Sequence, residues 1–343
     1  MKRSFAAAFH AAFSRSARIP NLKCYGYIAL MLLISSVLPR YSEGQDKCEG
    51  ETADAKAIAE RQGKLETLKR EMRPEFTFTI GETAVLGHLE LTGAKPPDAA
   101  LLKKQVETQH ELAKKAGVAA SEMKPLPKTF DWLKQGKVSS IKCQWCGDCW
   151  AFASAGVIES SLMIRENPST EPNISEQAIV DCSKAGTCAN GGWWGDVFAY
   201  ASQNGLPDEE HYSYTHSDSA CKPAQGPYYR IKIWDWVPTN GGDPTVEALK
   251  RGIQAHGPVI VAIVATDLFQ AYKSGVFNEL PNDTSCTNHG VVIIGWDDSK
   301  HAWHIKNSWG KCDRCWGEHG FGWVAYGANH IGYGAAWAEA EKM

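Results

Sequence analysis

Cys146-Gly147-Asp148-Cys149-Trp150-Ala151-Phe152 decides how this chain is read: a turn of small and polar residues runs straight into an apolar helical pattern. A cysteine at that junction stands at a helix N-terminus, where unpaired backbone N–H groups and the macrodipole favour a thiolate. The thiolate is the reactive form, so the position suits a nucleophile. Two later segments supply partners. Asn288-His289-Gly290-Val291-Val292 offers an imidazole base. Lys306-Asn307-Ser308-Trp309-Gly310 offers an amide to orient that base and an indole to shield it.

His289 follows Cys149 by 140 residues and Asn307 follows it by 158. With these three motifs in this order, the chain resembles the papain-like cysteine peptidases from about Leu126 to near its C-terminus. The resemblance implies an α+β fold, with a helical half, an antiparallel β-barrel-like half and a cleft between them. It also implies Cys149 as nucleophile, His289 as acid and base, and Asn307 orienting the imidazole. No cofactor or metal is expected. The family's second oxyanion donor is a Gln six residues before the nucleophile. Position 143 is Cys here, so a one-residue deletion is inferred, with Gln144 still serving; the alternative is that Gln144 faces solvent. Asp148 also departs from the family's Ser or Ala. It is expected to cap the helix, and a carboxylate beside the thiolate would raise the cysteine pKa.

By the same resemblance, Gly191, Gly192, Trp193, Trp194, Ala262, Asn288, Gly290, Trp309 and Ala336 line the substrate cleft. The small residues leave room for an apolar P2 side chain, and endopeptidase action on peptide or protein substrates is the expectation. Cys146–Cys188 and Cys182–Cys221 match two family bridges. The usual third is broken, because Ile331 stands where a late cysteine is expected. Cys143, Cys286, Cys312 and Cys315 are left, with three pairings open. A metal reading of Cys312, Cys315 and His319 is disfavoured in an oxidising compartment.

The local patterns agree with an α+β chain. Helical runs come first, over Trp150–Ile164, Ser175–Asp181 and Trp194–Gln203. Strand-like runs follow, over Arg230–Trp236, Val259–Val264, Val291–Trp296, Ala302–Lys306 and Gly322–Tyr326, with one helix at Thr245–His256 among them. Upstream, Ala55–Met72 and Ala99–Gly117 read as helices, Phe76–Ile80 as a strand and Gly93–Pro97 as a loop.

The chain has 343 residues, 43% of them hydrophobic and 22% charged, which is ordinary for a globular protein. Residues 126–343 carry 17 Lys+Arg against 24 Asp+Glu, and no basic patch of the kind nucleic acid requires is visible. Basic residues precede an apolar run at Tyr25–Leu38, as in a secretory signal, although an uncleaved signal anchor would give a membrane attachment. The expected organisation is a signal peptide or anchor (1–44), a propeptide that fills the cleft as an inhibitor (45–125) and a catalytic domain (126–343). The product would be a monomer, secreted or lysosomal. Asn173 and Asn282 begin glycosylation sequons. The rival readings are an inactive homologue acting as a binding protein and a thiol oxidoreductase using Cys146 and Cys149.

Overall fold

The stretch from Cys149 to Arg165 is mostly apolar with no continuous polar face, and a helix of that kind is stable only inside a protein. It forms α2, which follows α1 (Ala99–Lys115), and every residue from Cys149 to Leu162 is buried. Two shorter helices pack against it. The first, α3 (Glu176–Cys182), is capped by Ser175, whose Oγ accepts from the Ala178 N–H at 2.9 Å. The second, α4 (Trp194–Asn204), ends at Gly205, whose φ of 71° is the left-handed conformation glycine supplies there. The structure is a computed structural model. It describes residues 60, 63–67, 76–78, 91–117, 125–239, 243–280, 287–311 and 315–343, all within the unit spanning 44–343. The apolar run Tyr25–Leu38, most of the 55–72 helix, the Asn282 sequon, Cys286 and Cys312 lie outside the described residues.

The β half follows in sequence. Strands β1 (Phe76–Phe78), β2 (Thr129–Asp131), β3 (Gly186–Thr187), β4 (Gly191–Gly192) and β5 (Leu206–Pro207) are short. Longer strands are β6 (Tyr228–Trp236), β7 (Val259–Ile263), β8 (Tyr272–Phe277), β9 (His289–Asp297), β10 (Ala302–Lys306), β11 (Phe321–Ala325) and β12 (Tyr333–Lys342). Helices α5 (Val246–His256) and α6 (Asp267–Gln270) interrupt them. The large sheet runs β1-β8-β11-β10-β9-β7-β12-β6-β5, with β2 pairing β9 at its side, and β3-β4 form a separate pair. All neighbours are antiparallel except β11 with β8. Strand β9 is central, and its residues from His289 to Trp296 are all buried. One hydrophobic cluster centres on α2; a second fills the β half around Val259, Ile293 and Trp303. Because α2 packs on β9 and β12, the start of α2 and the start of β9 face each other across the seam.

Within the described residues the expected helices from Ala99 onward and the expected strands are present, with ends moved by a few residues. Strands β2, β3, β4, β5, β8 and β12 add to that reading. Among the described residues no helix is long and apolar enough to cross a membrane.

Candidate active site

Cys149 is the first residue of α2 and His289 the first of β9. The backbone N–H of Gly290 donates to Cys149 Sγ at 3.2 Å, which ties the two motifs together across the seam. Cys149 is the only free cysteine among the described residues. His289 Nε2 is 2.8 Å from Asn307 Oδ1. The Ser308 N–H also donates to that oxygen, at 2.8 Å, which fixes the amide orientation. The ring nitrogen at Asn307 is therefore the protonated one, and Nδ1 is the nitrogen that can exchange a proton with the thiol. Trp309 stacks on the imidazole with centroids 4.3 Å apart and is itself wholly buried.

Gln144 is brought to the same place by pairing of two loops. Its N–H donates to Ser308 O at 2.9 Å, and Gly310 N–H donates to Lys142 O at 3.2 Å. The side chain is 1% exposed, so it does not face solvent despite its shifted spacing. Ser308 Oγ donates to Gln144 Oε1 at 2.6 Å, which turns Nε2 towards Leu91 O at 3.2 Å and Cys146 O at 2.8 Å. The amide is held as a donor.

Residues 91–95 cross the cleft. Leu91 O accepts from both Gln144 Nε2 and Trp309 Nε1, each at 3.2 Å. Gly93 O accepts from Gly192 N–H at 2.8 Å, Ala94 N–H donates to Asn288 O at 2.9 Å, and Lys95 N–H donates to Gly192 O at 3.0 Å. A Cβ on Gly93 would lie 1.8 Å from Gly147 O, so only glycine fits this crossing. Cys149 is consequently buried, not exposed as its turn-to-helix context suggests. Burial pushes its thiol up to about 12; the N–H groups of Gly290, Gly93 and Trp150 pull it down, and Asp148 adds to the rise.

The expected pocket residues converge. Ala262 pairs with Gly290 across β7 and β9, and Ala336 on β12 joins Ala94, Cys149, Trp193 and Trp194 in one hydrophobic cluster. Both indoles are buried and stacked, with centroids 3.6 Å apart. Trp194 Nε1 donates to Gly334 O at 2.8 Å. Asn288 Oδ1 accepts from Ala265 N–H at 2.8 Å, leaving its carbonyl to the cleft.

Several expectations need correction. Asp148 is the N-cap residue of α2, but its side chain makes no capping hydrogen bond; it turns away to accept from Tyr214 Oη at 2.6 Å. Cys146 is bonded to Cys188, and Cys182 to Cys221. The first bridge removes Cys146 as a redox partner for Cys149. Cys143 and Cys315 are each disulfide-bonded, so Cys315 offers no thiolate to a metal. At the first sequon Asn173 is half-buried and Ser175 is buried as a helix cap.

One feature was invisible in the motifs. Lys142 Nζ donates to Glu159 Oε1 and Glu176 Oε1, both at 2.7 Å. Lys306 Nζ donates to Ser139 Oγ at 2.6 Å, and Ser139 Oγ donates to Glu159 Oε2 at 2.6 Å. All five groups are buried or nearly so. Burial works against the Lys142 charge, but Glu159 and Glu176 outweigh it and hold its pKa above the ordinary range. This chain of charges joins α2 and α3 to β10, next to Asn307 in sequence.

Fold and Cys–His–Asn geometry together define a cysteine peptidase. The chain belongs to the papain family of cysteine proteases, whose sequence pattern matches residues 126–338. It is 33% identical over 238 residues to cysteine proteinase 1 of Entamoeba histolytica, covering 66% of this chain and 73% of that protein. Human cathepsin L2 is 35% identical over 213 residues, which is 57% of this chain and 60% of that protein. Among solved structures, procathepsin L2 from the larval midgut of Tenebrio molitor superposes with a TM-score of 0.67 at 28% identity, covering 84% of this chain and 95% of that one.

Proposed function

We propose that the protein is a papain-like cysteine endopeptidase made as a zymogen, with residues 45–125 as propeptide and 126–343 as the catalytic domain, acting in a lysosomal or extracellular compartment. The observation that carries the catalytic assignment is the meeting of Gly290 N–H with Cys149 Sγ at 3.2 Å beside an imidazole whose far nitrogen lies 2.8 Å from Asn307 Oδ1.

In this mechanism His289 Nδ1 takes the proton of Cys149, giving a thiolate and an imidazolium. The thiolate attacks the scissile carbonyl carbon, and its oxygen becomes an oxyanion held by Cys149 N–H and Gln144 Nε2. The imidazolium returns its proton to the leaving amine as the C–N bond breaks, leaving a thioester. A water then gives a proton to His289 and its hydroxide to the carbonyl, and the C–S bond breaks to release the acid. Asn307 keeps the imidazole in the required tautomer throughout. Gly191, Gly192, Trp193, Trp194, Ala262, Gly290 and Ala336 hold the substrate backbone and its P2 side chain. The propeptide inhibits by occupying the same groups: Leu91 O and Gly93 O take the Gln144 and Gly192 N–H donors, and Ala94 N–H takes the Asn288 carbonyl.

The secretory reading rests on the basic and apolar N-terminal segment and on the two described disulfides, Cys146–Cys188 and Cys182–Cys221. The test of the catalytic reading is treatment of the matured protein with an epoxide inhibitor of cysteine peptidases, followed by mapping of the adduct and a peptide-turnover assay. An adduct on Cys149 and turnover abolished by Cys149→Ala are expected. Turnover that survives Cys149→Ala, or a protein that neither turns over peptide nor forms the adduct, overturns the assignment.

A further inference from the structure

Asp148 stands beside the nucleophile and takes no part in the machinery above. It is wholly buried. Tyr214 Oη donates to its Oδ2 at 2.6 Å, while Oδ1 has no hydrogen-bond partner. The carboxyl lies within 4.8 Å of both sulfurs of the Cys146–Cys188 bridge. Among the described residues it has no ion pair. The ionisable groups facing it are Tyr214 and Asp218 from the 208–221 loop and Cys149 on its own helix. His216 lies tilted against the Tyr214 ring, with centroids 4.7 Å apart, and burial lowers its pKa towards the neutral imidazole. Burying a carboxylate with no cation beside it is costly, and here that cost outweighs the hydrogen bonds from Tyr214 and from the Asp148 and Cys146 backbone, so the neutral acid is favoured.

We propose that Asp148 is a positioning residue whose protonation state, read through its bond to Tyr214, sets the alkaline limit of catalysis: the neutral acid leaves the thiolate–imidazolium pair intact, and the carboxylate returns the proton from His289 to Cys149. The inference rests on the catalytic reading given above. Burial, opposed by the Tyr214 hydrogen bond, pushes the Asp148 carboxyl up to about 7. Above that pH the carboxyl proton is lost to solvent, and the charge left beside the sulfur raises the Cys149 pKa. The imidazolium proton then moves to the thiolate, and the resting pair becomes thiol and neutral imidazole. No electron transfer is involved.

Tyr214 and the Cys146–Cys188 bridge, which flank Asp148, lie within residues 126–343, so these contacts remain once residues 91–95 have left the cleft. The experiment compares kcat/KM from pH 5 to 9 for the matured wild type, Asp148→Asn, Tyr214→Phe and the double variant. The asparagine keeps an oxygen for Tyr214 but cannot ionise. It moves the alkaline midpoint up by about one pH unit, or about tenfold in kcat/KM on that limb. Tyr214→Phe removes the bond that favours the carboxylate and moves the midpoint in the same direction; the double variant goes no further than Asp148→Asn. An unmoved midpoint in Asp148→Asn, or a uniform loss at every pH, overturns the proposal.

Alkylation of Cys149 by chloroacetamide, a neutral reagent, reports the thiolate without peptide turnover. In the wild type its rate falls as the pH rises through about 7; a rate that only rises or stays flat overturns the proposal even if Asp148→Asn does not fold. Turnover with an unmoved limb leaves the peptidase reading standing and this one refuted. A thiolate that responds to Asp148 in a protein without turnover does the reverse.

Discussion

At the scale of single residues, the site is a set of groups each held by one strong neighbour. Gln144 illustrates this, because Ser308 Oγ pins its amide oxygen and so turns its nitrogen into the cleft. Gln144→Ala is expected to lower kcat/KM by about 10²–10³-fold, the usual effect of losing an oxyanion donor. Ser308→Ala, which only frees the amide to rotate, costs less and acts on kcat. A Gln144→Ala enzyme with wild-type kcat/KM on a peptide substrate would remove Gln144 from catalysis. Cys149, His289 and Asn307 were legible in the sequence because each lies in a short motif whose neighbours declare its local geometry. Tyr214 was not: it reaches Asp148 from 66 positions away, and nothing beside it marks the contact. Asp148 itself was read as a cap because capping is what Asp usually does before a helix. Here the phenol competes for the carboxyl and wins.

At the scale of elements, the two halves are joined by charge. Lys142 sits between Glu159 of α2 and Glu176 of α3, and Glu159 is linked through Ser139 to Lys306 of β10. Removing one partner from a buried ionic cluster strands the others without solvent. Lys142→Met is therefore expected to destabilise the mature domain by about 3–5 kcal/mol, measured by urea unfolding at pH 7. The sign with pH follows from the carboxyls. Burial already raises the Glu176 pKa and Lys142 opposes that rise; without Lys142 it rises further above the unfolded value, so the penalty applies at neutral pH and shrinks as falling pH protonates Glu176. A deficit that is absent at pH 7, or that grows on acidification, would contradict this account. Strand β12 has a related lesson for sequence reading. Tyr333–Lys342 is rich in Ala and Glu, which favour helix, yet it is a strand because β6 and β7 offer edges on both sides. Pairing partners distant in sequence override local preference.

At the scale of the whole molecule, the chain closes its own cleft and clamps the closure on the far side. After crossing over Cys149, the chain enters α1, where Gln109 Nε2 donates to Trp234 O at 2.6 Å and His110 Nδ1 lies 2.8 Å from Asp235 Oδ2. Burial raises the Asp235 pKa and His110 opposes that rise. The contact with His110 favours the Asp235 carboxylate, so its contribution to docking is present while Asp235 is ionised and is lost as falling pH protonates it. His110 is half exposed, so His110→Ala should change the rate of zymogen processing only a few-fold, in line with surface pairs, and should flatten its dependence on acid. Processing that keeps the wild-type pH dependence in that variant would exclude the pair as an acid-sensitive contact.

The crossing itself depends on Gly93. The Gly147 backbone lies where a side chain would go, at 1.8 Å from an added Cβ, and backbone cannot rotate aside. Gly93→Ala must therefore lift residues 91–95 off Gly192, Asn288 and Cys149. Lifting them readmits water to a thiol that burial now holds at about 12. The unprocessed Gly93→Ala zymogen should accordingly be alkylated at Cys149 at least tenfold faster than the wild-type zymogen at pH 7, since each unit of pKa lost is a tenfold gain in thiolate. Mature enzyme from the two zymogens should be indistinguishable, because position 93 leaves with the propeptide. Equal alkylation of the two zymogens would mean that something other than this glycine keeps the nucleophile covered.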